Sequence, residues 1–316
     1  LQREGVRFRR PIVFTAVPDE EPGGENGMRW LVENHLSAID PEWVWDEGSG
    51  GLKDVIGRGT LFAVAVAEKQ IYRVRLTALG EPGHGSMPHA ASAVNRLTAA
   101  LARLLEHPRP LTVGPASAAM FAGVAPAMPF PASLLLRRLD NPLALRLAGG
   151  KLAADKFTNA VVRDTVSINI VQAGYQINVI PECARADLDC RLLPETDAEE
   201  FHRWLAASVA DENIRIEVLS QSPPSGVAPT GTPFYRAVRE AVEKFSPGAR
   251  VFPLLMAGAT DGRYWRERGY PAYGFTPMIL ERPDISRVHG IDERISIDNL
   301  FLGVQMVRDI LRTLCA

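Results

Sequence analysis

Pro11-Ile-Val-Phe-Thr-Ala-Val-Pro-Asp-Glu-Glu-Pro-Gly-Gly24 couples a compact apolar run to an acidic, glycine-rich loop. The apolar half predicts a buried strand over 11–17, and the polar half predicts a loop at the carboxyl end of that strand. Four apolar residues then recur at helical spacing: Met28, Leu31, Val32 and Leu36. Strand, acidic loop and helix in this order predict an α/β domain, in which active sites gather at the carboxyl ends of strands.

The middle of the chain predicts a second, smaller module. Apolar and charged residues alternate over 185–192, as in a strand with one buried face and one polar face. The predicted elements follow the order strand, helix, strand, strand, helix, strand, at 72–76, from Ala91, 166–170, 185–192, 197–209 and 214–218. This order is typical of a compact α+β module.

The α/β pattern resumes after the Ser-, Pro- and Gly-rich stretch 220–231, which we interpret as a linker. Thr232-Pro233 predicts a capped helix start, and 251–255 predicts a short strand. A last helix is predicted from about Ile297. With the apolar strand predicted at 61–66, these elements indicate one α/β domain interrupted by an inserted module.

Composition excludes several classes of function. The 316 residues are 46% hydrophobic with a formal net charge of −2, so neither a nucleic acid nor an anionic membrane surface is an expected partner. No apolar run approaches the roughly 20 residues of a spanning helix. Cys183, Cys190 and Cys315 form neither a disulfide framework nor a thiolate zinc pattern, and we expect reduced, structural cysteines.

Three features could carry chemistry. Asp19, Glu20 and Glu21 are adjacent carboxylates, which repel one another unless a cation or a proton compensates them. Glu47 lies in a second acidic turn beside glycines, and His289 lies in a turn near the C-terminus. Each also has a plain structural interpretation: a solvated acidic turn for the carboxylates and a hydrogen-bonded surface residue for the histidine.

Six motifs follow one another along the chain: Pro-Asp-Glu-Glu-Pro-Gly-Gly-Glu-Asn-Gly-Met (18–28), Asp-Glu-Gly (46–48), Gly-His-Gly-Ser-Met-Pro (83–88), Asn-Val-Ile-Pro (178–181) with Asp-Cys-Arg-Leu-Leu-Pro (189–194), Gly-Ala-Thr-Asp-Gly-Arg (258–263) and His-Gly-Ile-Asp-Glu-Arg-Ile (289–295). Together they resemble the di-zinc peptidase family of aminoacylase, carboxypeptidase G, acetylornithine deacetylase, succinyl-diaminopimelate desuccinylase and carboxypeptidase S. The resemblance covers essentially the whole chain. The insertion between Pro110 and Asn159 resembles the carboxypeptidase S-like branch.

The resemblance implies a fold and a metal site. The expected fold is a split zinc-peptidase (aminopeptidase-like) α/β domain, 1–69 and 224–316, with an inserted α+β (ferredoxin-like) lid domain, 70–223, through which homodimers form. Two zinc ions per subunit are expected in the intact family fold. Glu21 and His289 match ligands of one zinc, Glu47 matches a ligand of the other, and Glu20 matches the general base that moves the proton of the attacking water.

The resemblance also assigns residues outside the metal site. His84 matches a lid histidine that, in dimeric relatives, reaches the opposite active site and stabilises the oxyanion. Asn178 and Arg191 match residues that hold the substrate carbonyl or carboxylate, and a guanidinium suits a carboxylate well. Thr260 and Asp261 are interpreted as shaping the loop near the metals, with a purely structural turn as the alternative.

One departure from the family pattern limits these expectations. The family carries a His-x-Asp motif and a zinc-bridging Asp upstream of the Glu-Glu motif, and this sequence begins after both, so we expect an N-terminally truncated chain. Each zinc then falls short of the usual three protein ligands, and weak metal binding is expected.

The predicted function is zinc-dependent hydrolysis of a peptide or N-acyl amino acid bond, with a small-molecule substrate and a cytoplasmic location. The alternatives are a catalytically silent homodimeric relative and a residual metal-independent esterase. For the esterase, Ser86 lies near His84 and His89 but has no orienting acid that the sequence identifies.

Overall fold

The computed structural model describes residues 1–316, except for the side chain of Gln2. The α-helices are α1 (Trp30–Ile39), α2 (Ala93–Glu106), α3 (Pro115–Val124), α4 (Ala132–Leu136), α5 (Pro142–Ala154), α6 (Lys156–Val161), α7 (Ala198–Val209), α8 (Pro233–Phe245), α9 (Gly262–Glu267), α10 (Arg282–Ile285) and α11 (Ile297–Cys315). The strands are β1 (Val44–Asp46), β2 (Gly51–Lys53), β3 (Thr60–Glu68), β4 (Gln70–Leu79), β5 (Gly83–His84), β6 (Thr165–Ala173), β7 (Val179–Ile180), β8 (Cys183–Leu192), β9 (Ile214–Gln221), β10 (Arg250–Met256), β11 (Ala272–Gly274) and β12 (Ile279–Leu280).

The chain forms two compact units. Unit 1 comprises Leu1–Glu68, Val113–Lys151 and Ser225–Ala316, and unit 2 comprises Lys69–Thr112 and Leu152–Pro224. The chain passes from unit 1 to unit 2 between residues 68 and 69 and returns between 224 and 225, and each of these boundaries lies within one residue of the one expected from the sequence. Residues 113–151 belong to unit 1, whereas the sequence placed them inside the lid.

Unit 1 is built on a mixed six-stranded sheet. The strand order is β1-β11-β3-β2-β12, and β10 pairs with β3 in parallel. Strand β3 is almost fully buried, which explains its continuous apolar sequence. Its core side chains pack with α8 and α11, where Phe62, Val238 and Ile310 are each 0% exposed. Thr232 caps α8 as expected, because its side chain accepts a hydrogen bond from the amide of Tyr235.

Unit 2 has a four-stranded antiparallel sheet in the order β6-β8-β4-β9. With α2 and α7 between the strands in sequence, this is the ferredoxin-like arrangement. The alternation predicted over 185–192 is confirmed, because every second residue of β8 is buried, and Leu188 and Phe201 lie in the core that α2 and α7 cover. On the polar face, Arg75 of β4 pairs with Asp187 of β8 at 2.7 Å.

The strand predicted over 11–17 is wrong. This segment has no regular secondary structure, and the side chain of Phe14 is 89% exposed. It nevertheless lies beside β1, since the guanidinium of Arg10 stacks on Trp43 and Val17 packs into the apolar cluster that contains Val44. The apolar sequence supplies side chains for a sheet, but no neighbouring strand pairs with its backbone among the residues that the structure describes.

A second apolar surface of unit 1 is also exposed. Along α11, Ile297, Leu300, Phe301 and Val304 are each more than half exposed. They adjoin a mainly apolar groove of about 620 Å³ between the N-terminal half of α11 and the segment 276–278. No helix in the described part of the chain is long and apolar enough to cross a membrane.

Candidate active site

The loop after residue 17 presents the Glu20-Glu21 pair. Asp19 and Gly24 both adopt left-handed backbone conformations, with φ of 75° and 70°, which turn the chain sharply around the pair. The carboxylate of Asp19 accepts hydrogen bonds from the amide (2.9 Å) and the side-chain nitrogen (3.1 Å) of Asn26. The loop is therefore closed from within by Asp19, and this leaves Glu20 and Glu21 to project from it.

Glu47 immediately follows β1. The carboxylate of Asp46 accepts a hydrogen bond from the amide of Glu47 at 2.8 Å, and Gly48 packs closely against the backbone of Gly274 at the end of β11. A side chain at position 48 would collide with that backbone, so glycine is required there. The position of Glu47 is thus fixed by the ends of two adjacent strands.

His289 lies in a loop between α10 and α11. It has a left-handed backbone conformation (φ 57°), and its Nδ1 lies 3.9 Å from Oε1 of Glu21. Residues 21 and 289 are far apart in sequence, and the structure brings these two predicted partners of one zinc together. Both side chains are exposed, which suits a site open to ions and substrate.

These residues only partly fit a zinc centre. A carboxylate and an imidazole are suitable zinc ligands, and Glu21 and His289 are close enough to approach one ion. However, no group of three His, Cys, Asp or Glu side chains in the described part of the chain is arranged to hold a metal ion. The described residues therefore supply part of a ligand set rather than a complete one.

Burial and neighbouring negative charges raise the pKa values of three carboxylates in this region, Glu20, Glu47 and Asp261. Burial and the charges of Glu47 and Glu21 raise the pKa of Glu20, and burial together with Asp46 and Glu21 raises the pKa of Glu47. The strongest effect is at Asp261, where burial and the charges of Asp46 and Glu20 raise the pKa to about 7. Such mutual repulsion favours protons or a cation among the carboxylates.

His84 and Asn178 lie side by side in unit 2. Strands β5 and β7 pair there, and the amide of Gly85 donates a hydrogen bond to the carbonyl of Asn178 at 2.8 Å. Nδ1 of His84 accepts a hydrogen bond from the amide of Ser86 (3.2 Å) and lies 2.8 Å from the Ser86 hydroxyl. Because Nδ1 is an acceptor here, a neutral His84 carries its proton on Nε2.

Arg191 lies at the other end of unit 2. It is near the carboxyl end of β8, whereas Asn178 precedes the amino end of that strand. About 26 Å of extended strand separates Cys183 from Arg191, at roughly 3.3 Å per residue. Arg191 forms a two-point ion pair with Asp189, at 2.7 and 3.0 Å. One amide group therefore cannot touch His84, Asn178 and Arg191 of the same unit 2.

Comparison of the sequence with known proteins identifies a family. The sequence profile of Peptidase family M20/M25/M40 matches residues 1–313. The chain belongs to that family.

The curated M20 relatives include hydrolases of amide bonds. The N-fatty-acyl-amino acid synthase/hydrolase PM20D1 of Xenopus tropicalis is 31% identical over 313 residues, which are 96% of this chain and 60% of the relative. A probable carboxypeptidase S-like protein of Dictyostelium discoideum is 28% identical, over 95% of this chain and 58% of its own length. Aminoacylase-1 of Pongo abelii is 27% identical, over 100% of this chain and 67% of its own length. The chain thus spans about 60% of the length of the first of these relatives.

Solved structures show the same mixed α/β fold. An M20 metallo-carboxypeptidase of Sulfolobus solfataricus superposes with a TM-score of 0.61 at 15% identity, covering 93% of this chain and 68% of that one. A dipeptidase of Saccharomyces cerevisiae gives 0.58 at 16% identity, covering 90% of this chain and 61% of that one. At these identities the likeness establishes the fold.

Sequence reasoning missed three residues that support the site. Arg263 and Tyr264 donate long-range hydrogen bonds to Gly23 in the loop of Glu20 and Glu21, and Glu68 accepts one from the amide of Thr260. Arg263 lies within the motif 258–263, and Glu68 is a charged residue at the end of the apolar strand β3, so both could have been singled out from the sequence. No local pattern, however, identifies their partners.

Proposed function

We propose that this protein, with a complete metal site, hydrolyses the amide bond of a peptide or N-acyl amino acid. The observation that carries the proposal is the convergence of Glu20, Glu21, Glu47 and His289 in one M20 chain: Nδ1 of His289 lies 3.9 Å from Glu21, and the negative charge of Glu21 raises the pKa values of both Glu20 and Glu47. Zinc, where its ligand set is complete, supplies the polarised carbonyl and the activated water.

Glu20 is the proton carrier in this proposal. It lies next to Glu21 in the same turn, and its carboxylate has no backbone role, since Asp19 closes the loop. A carboxylate in this position can take a proton from water and return it to the leaving nitrogen.

His84 and Asn178 act on the carbonyl. With its proton on Nε2, His84 offers an N–H donor to a developing oxyanion, and its Nδ1 is held by Ser86. Arg191 binds the free carboxylate of the substrate, because Nη1 is not used in its ion pair with Asp189.

The separation of these residues along β8 favours a homodimer. We propose that one substrate contacts Arg191 of one copy and His84 and Asn178 of another, since both ends of β8 cannot reach the same amide. Unit 2 is then the lid and dimerisation domain.

The substrate class is supported by the relatives. The compared proteins include an N-fatty-acyl-amino acid synthase/hydrolase, a probable carboxypeptidase S-like protein and an aminoacylase. An acylated nitrogen next to a free carboxylate is common to such substrates, and Arg191 suits that carboxylate.

The test is zinc analysis of the 316-residue chain together with hydrolysis of a panel of N-acyl amino acids and dipeptides, with and without added zinc. Zinc-dependent turnover that Glu20→Gln abolishes while zinc content stays the same supports the proposal. Turnover that survives this change contradicts the role of Glu20.

A catalytically silent homodimer is the second candidate. The observation that favours it is the incomplete ligand set among the described residues. Folded dimer without zinc uptake and without turnover on the same panel would support it. A metal-independent esterase is the third candidate, because the Ser86 hydroxyl lies 2.8 Å from His84 Nδ1. Ester hydrolysis that resists a chelator and is lost in Ser86→Ala would support that candidate.

A further inference from the structure

The first turn of α9 reaches the loop that carries Glu20 and Glu21. Nη2 of Arg263 donates a hydrogen bond to the carbonyl of Gly23 at 2.5 Å, and the hydroxyl of Tyr264 donates to the same carbonyl. Arg263 and Tyr264 are 8% and 6% exposed, so water competes little for these bonds. Two buried donors thus converge on one backbone oxygen, three residues after Glu20.

The same turn also holds the loop that carries Glu47. The amide of Gly262 donates to Oδ2 of Asp46 at 2.6 Å, and Oδ1 of Asp46 accepts from the amide of Glu47 at 2.8 Å. The carboxylate of Asp46 therefore connects α9 directly to the backbone of Glu47. Both acidic loops are fastened to three consecutive residues, 262–264.

The turn is itself anchored in the core. The carboxylate of Glu68, at the end of β3, accepts hydrogen bonds from the amide (2.6 Å) and the hydroxyl (2.7 Å) of Thr260. It also pairs with Arg266, and both partners are at most 4% exposed. Burial strengthens these contacts, because little water competes with them in a low-dielectric interior.

Packing and charge complete the arrangement. A Cβ on Gly24 would collide with the carboxylate of Asp261 and lie 3.1 Å from the ring of Tyr264, so the loop rests directly on this turn. The charge of Arg263 acts on both Glu20 and Asp261 and opposes the repulsion among the carboxylates. The guanidinium of Arg263 thus donates a hydrogen bond to the loop and also offsets the negative charge of Glu20.

We propose that Arg263 is a positioning residue. Together with Tyr264 it clamps the carbonyl of Gly23, and this contact holds Glu20 and Glu21 in a fixed position relative to Glu47. The proposal rests on the proposed function only for the roles of those three glutamates. The clamp itself is a property of the fold and can be measured without turnover.

The first measurement is hydrogen–deuterium exchange by mass spectrometry on the 316-residue chain, comparing wild type with R263A, R263K and Y264F. The control is R268A, because Arg268 follows the same helix and contacts Tyr264 O and Glu33 instead of Gly23. For R263A we expect at least tenfold faster exchange of amides in 23–29, with α8 unchanged. R263K and Y264F each keep one donor to Gly23, and we expect intermediate exchange. R268A should leave 23–29 unchanged.

The second measurement is steady-state hydrolysis of the best substrate of the panel. We expect R263A to lower kcat at least tenfold with KM within twofold, and R263K to recover part of the loss, because the clamp affects the orientation of Glu20 more than substrate binding.

The outcomes separate the two proposals. Unchanged exchange over 23–29 in R263A, or equally faster exchange throughout unit 1, overturns the positioning role. If no variant and no wild-type chain turns over any substrate while the exchange pattern is as expected, the clamp stands and the proposed function fails. If wild type turns over substrate and R263A keeps full kcat, the positioning role fails alone.

Discussion

The two units differ in how completely they bury their apolar residues. In unit 2 the sheet is covered by α2 and α7, and Leu76, Ala186 and Phe201 at its centre are 0% exposed. In unit 1 the sheet has a buried centre, yet Phe14 beside β1 and Phe301 on α11 are 89% and 64% exposed. Hydrophobic burial is the main favourable term in folding, so these exposed aromatic residues stabilise unit 1 little. The candidate metal-site residues Glu21, Glu47 and His289 nevertheless lie in unit 1.

The largest expected effect contrasts a buried aromatic residue of unit 2 with an exposed one of unit 1. Phe201→Ala should lower the free energy of unfolding of unit 2 by about 3–5 kcal/mol, because it leaves a cavity in a closed core. Phe14→Ala should change stability by less than about 0.5 kcal/mol, since its side chain is already in water. Urea unfolding followed by circular dichroism measures both. A large loss for Phe14→Ala would show that this residue is covered in solution.

The next effect concerns a buried lysine at the beginning of unit 2. Lys69 is 2% exposed and donates hydrogen bonds to the carbonyl of Arg163 and the hydroxyl of Thr165, and burial lowers its pKa to about 7. Between pH 7 and about 10.5 the unfolded chain therefore binds one proton more than the folded chain, and stability should rise with pH.

The slope from Lys69 is expected to be about 1.4 kcal/mol per pH unit within that window, and to vanish below pH 7, where both states are protonated. Lys69→Met should remove this slope, whereas Lys53→Met, at an exposed site, should keep it. Urea unfolding at pH 6, 7.5 and 9 decides the matter. An unchanged slope in Lys69→Met would contradict the assignment.

A smaller expected effect concerns dye binding to the exposed apolar surface of unit 1. A dye that fluoresces on apolar surfaces, such as ANS, should bind the native chain, because Phe14 and the face of α11 are exposed. The double variant F14E/F301E should reduce the fluorescence at least twofold. L105E in unit 2, at a residue that is 65% exposed, serves as the control and should reduce it less. Equal reductions would mean that unit 1 has no special apolar surface.

Local sequence patterns predicted the structure better than patterns whose outcome depends on distant partners. Alternation over 185–192 and the cap at Thr232 are local signals, and both are confirmed by the structure. The strand over 11–17 failed because an apolar run reports hydrophobicity but not whether a partner strand pairs with it. The loops of Glu21 and His289 could be matched from motifs. The clamp from Arg263 to Gly23 spans 240 residues, and hydrogen bonds of such separation leave no periodic trace.

The smallest expected effect concerns the tautomer of His84 in unit 2. The amide of Ser86 donates to Nδ1 of His84, so neutral His84 should carry its proton on Nε2, and nitrogen-15 chemical shifts of selectively labelled histidines can show this directly. Ser86→Ala keeps the backbone amide and removes the hydroxyl that lies 2.8 Å from Nδ1. We therefore expect the Nε2–H form to persist in Ser86→Ala with a reduced majority. Ser86→Pro removes the amide donor and should shift the ring toward a mixture of tautomers.

His107, whose Nδ1 lies 3.1 Å from the carbonyl of Arg103, is an internal reference, because a carbonyl requires Nδ1 to carry the proton. If His84 carried its proton on Nδ1, as expected for His107, the geometry at His84 would not offer an Nε2–H donor to an oxyanion, and its proposed part in hydrolysis would be lost while the fold of unit 2 remained as described.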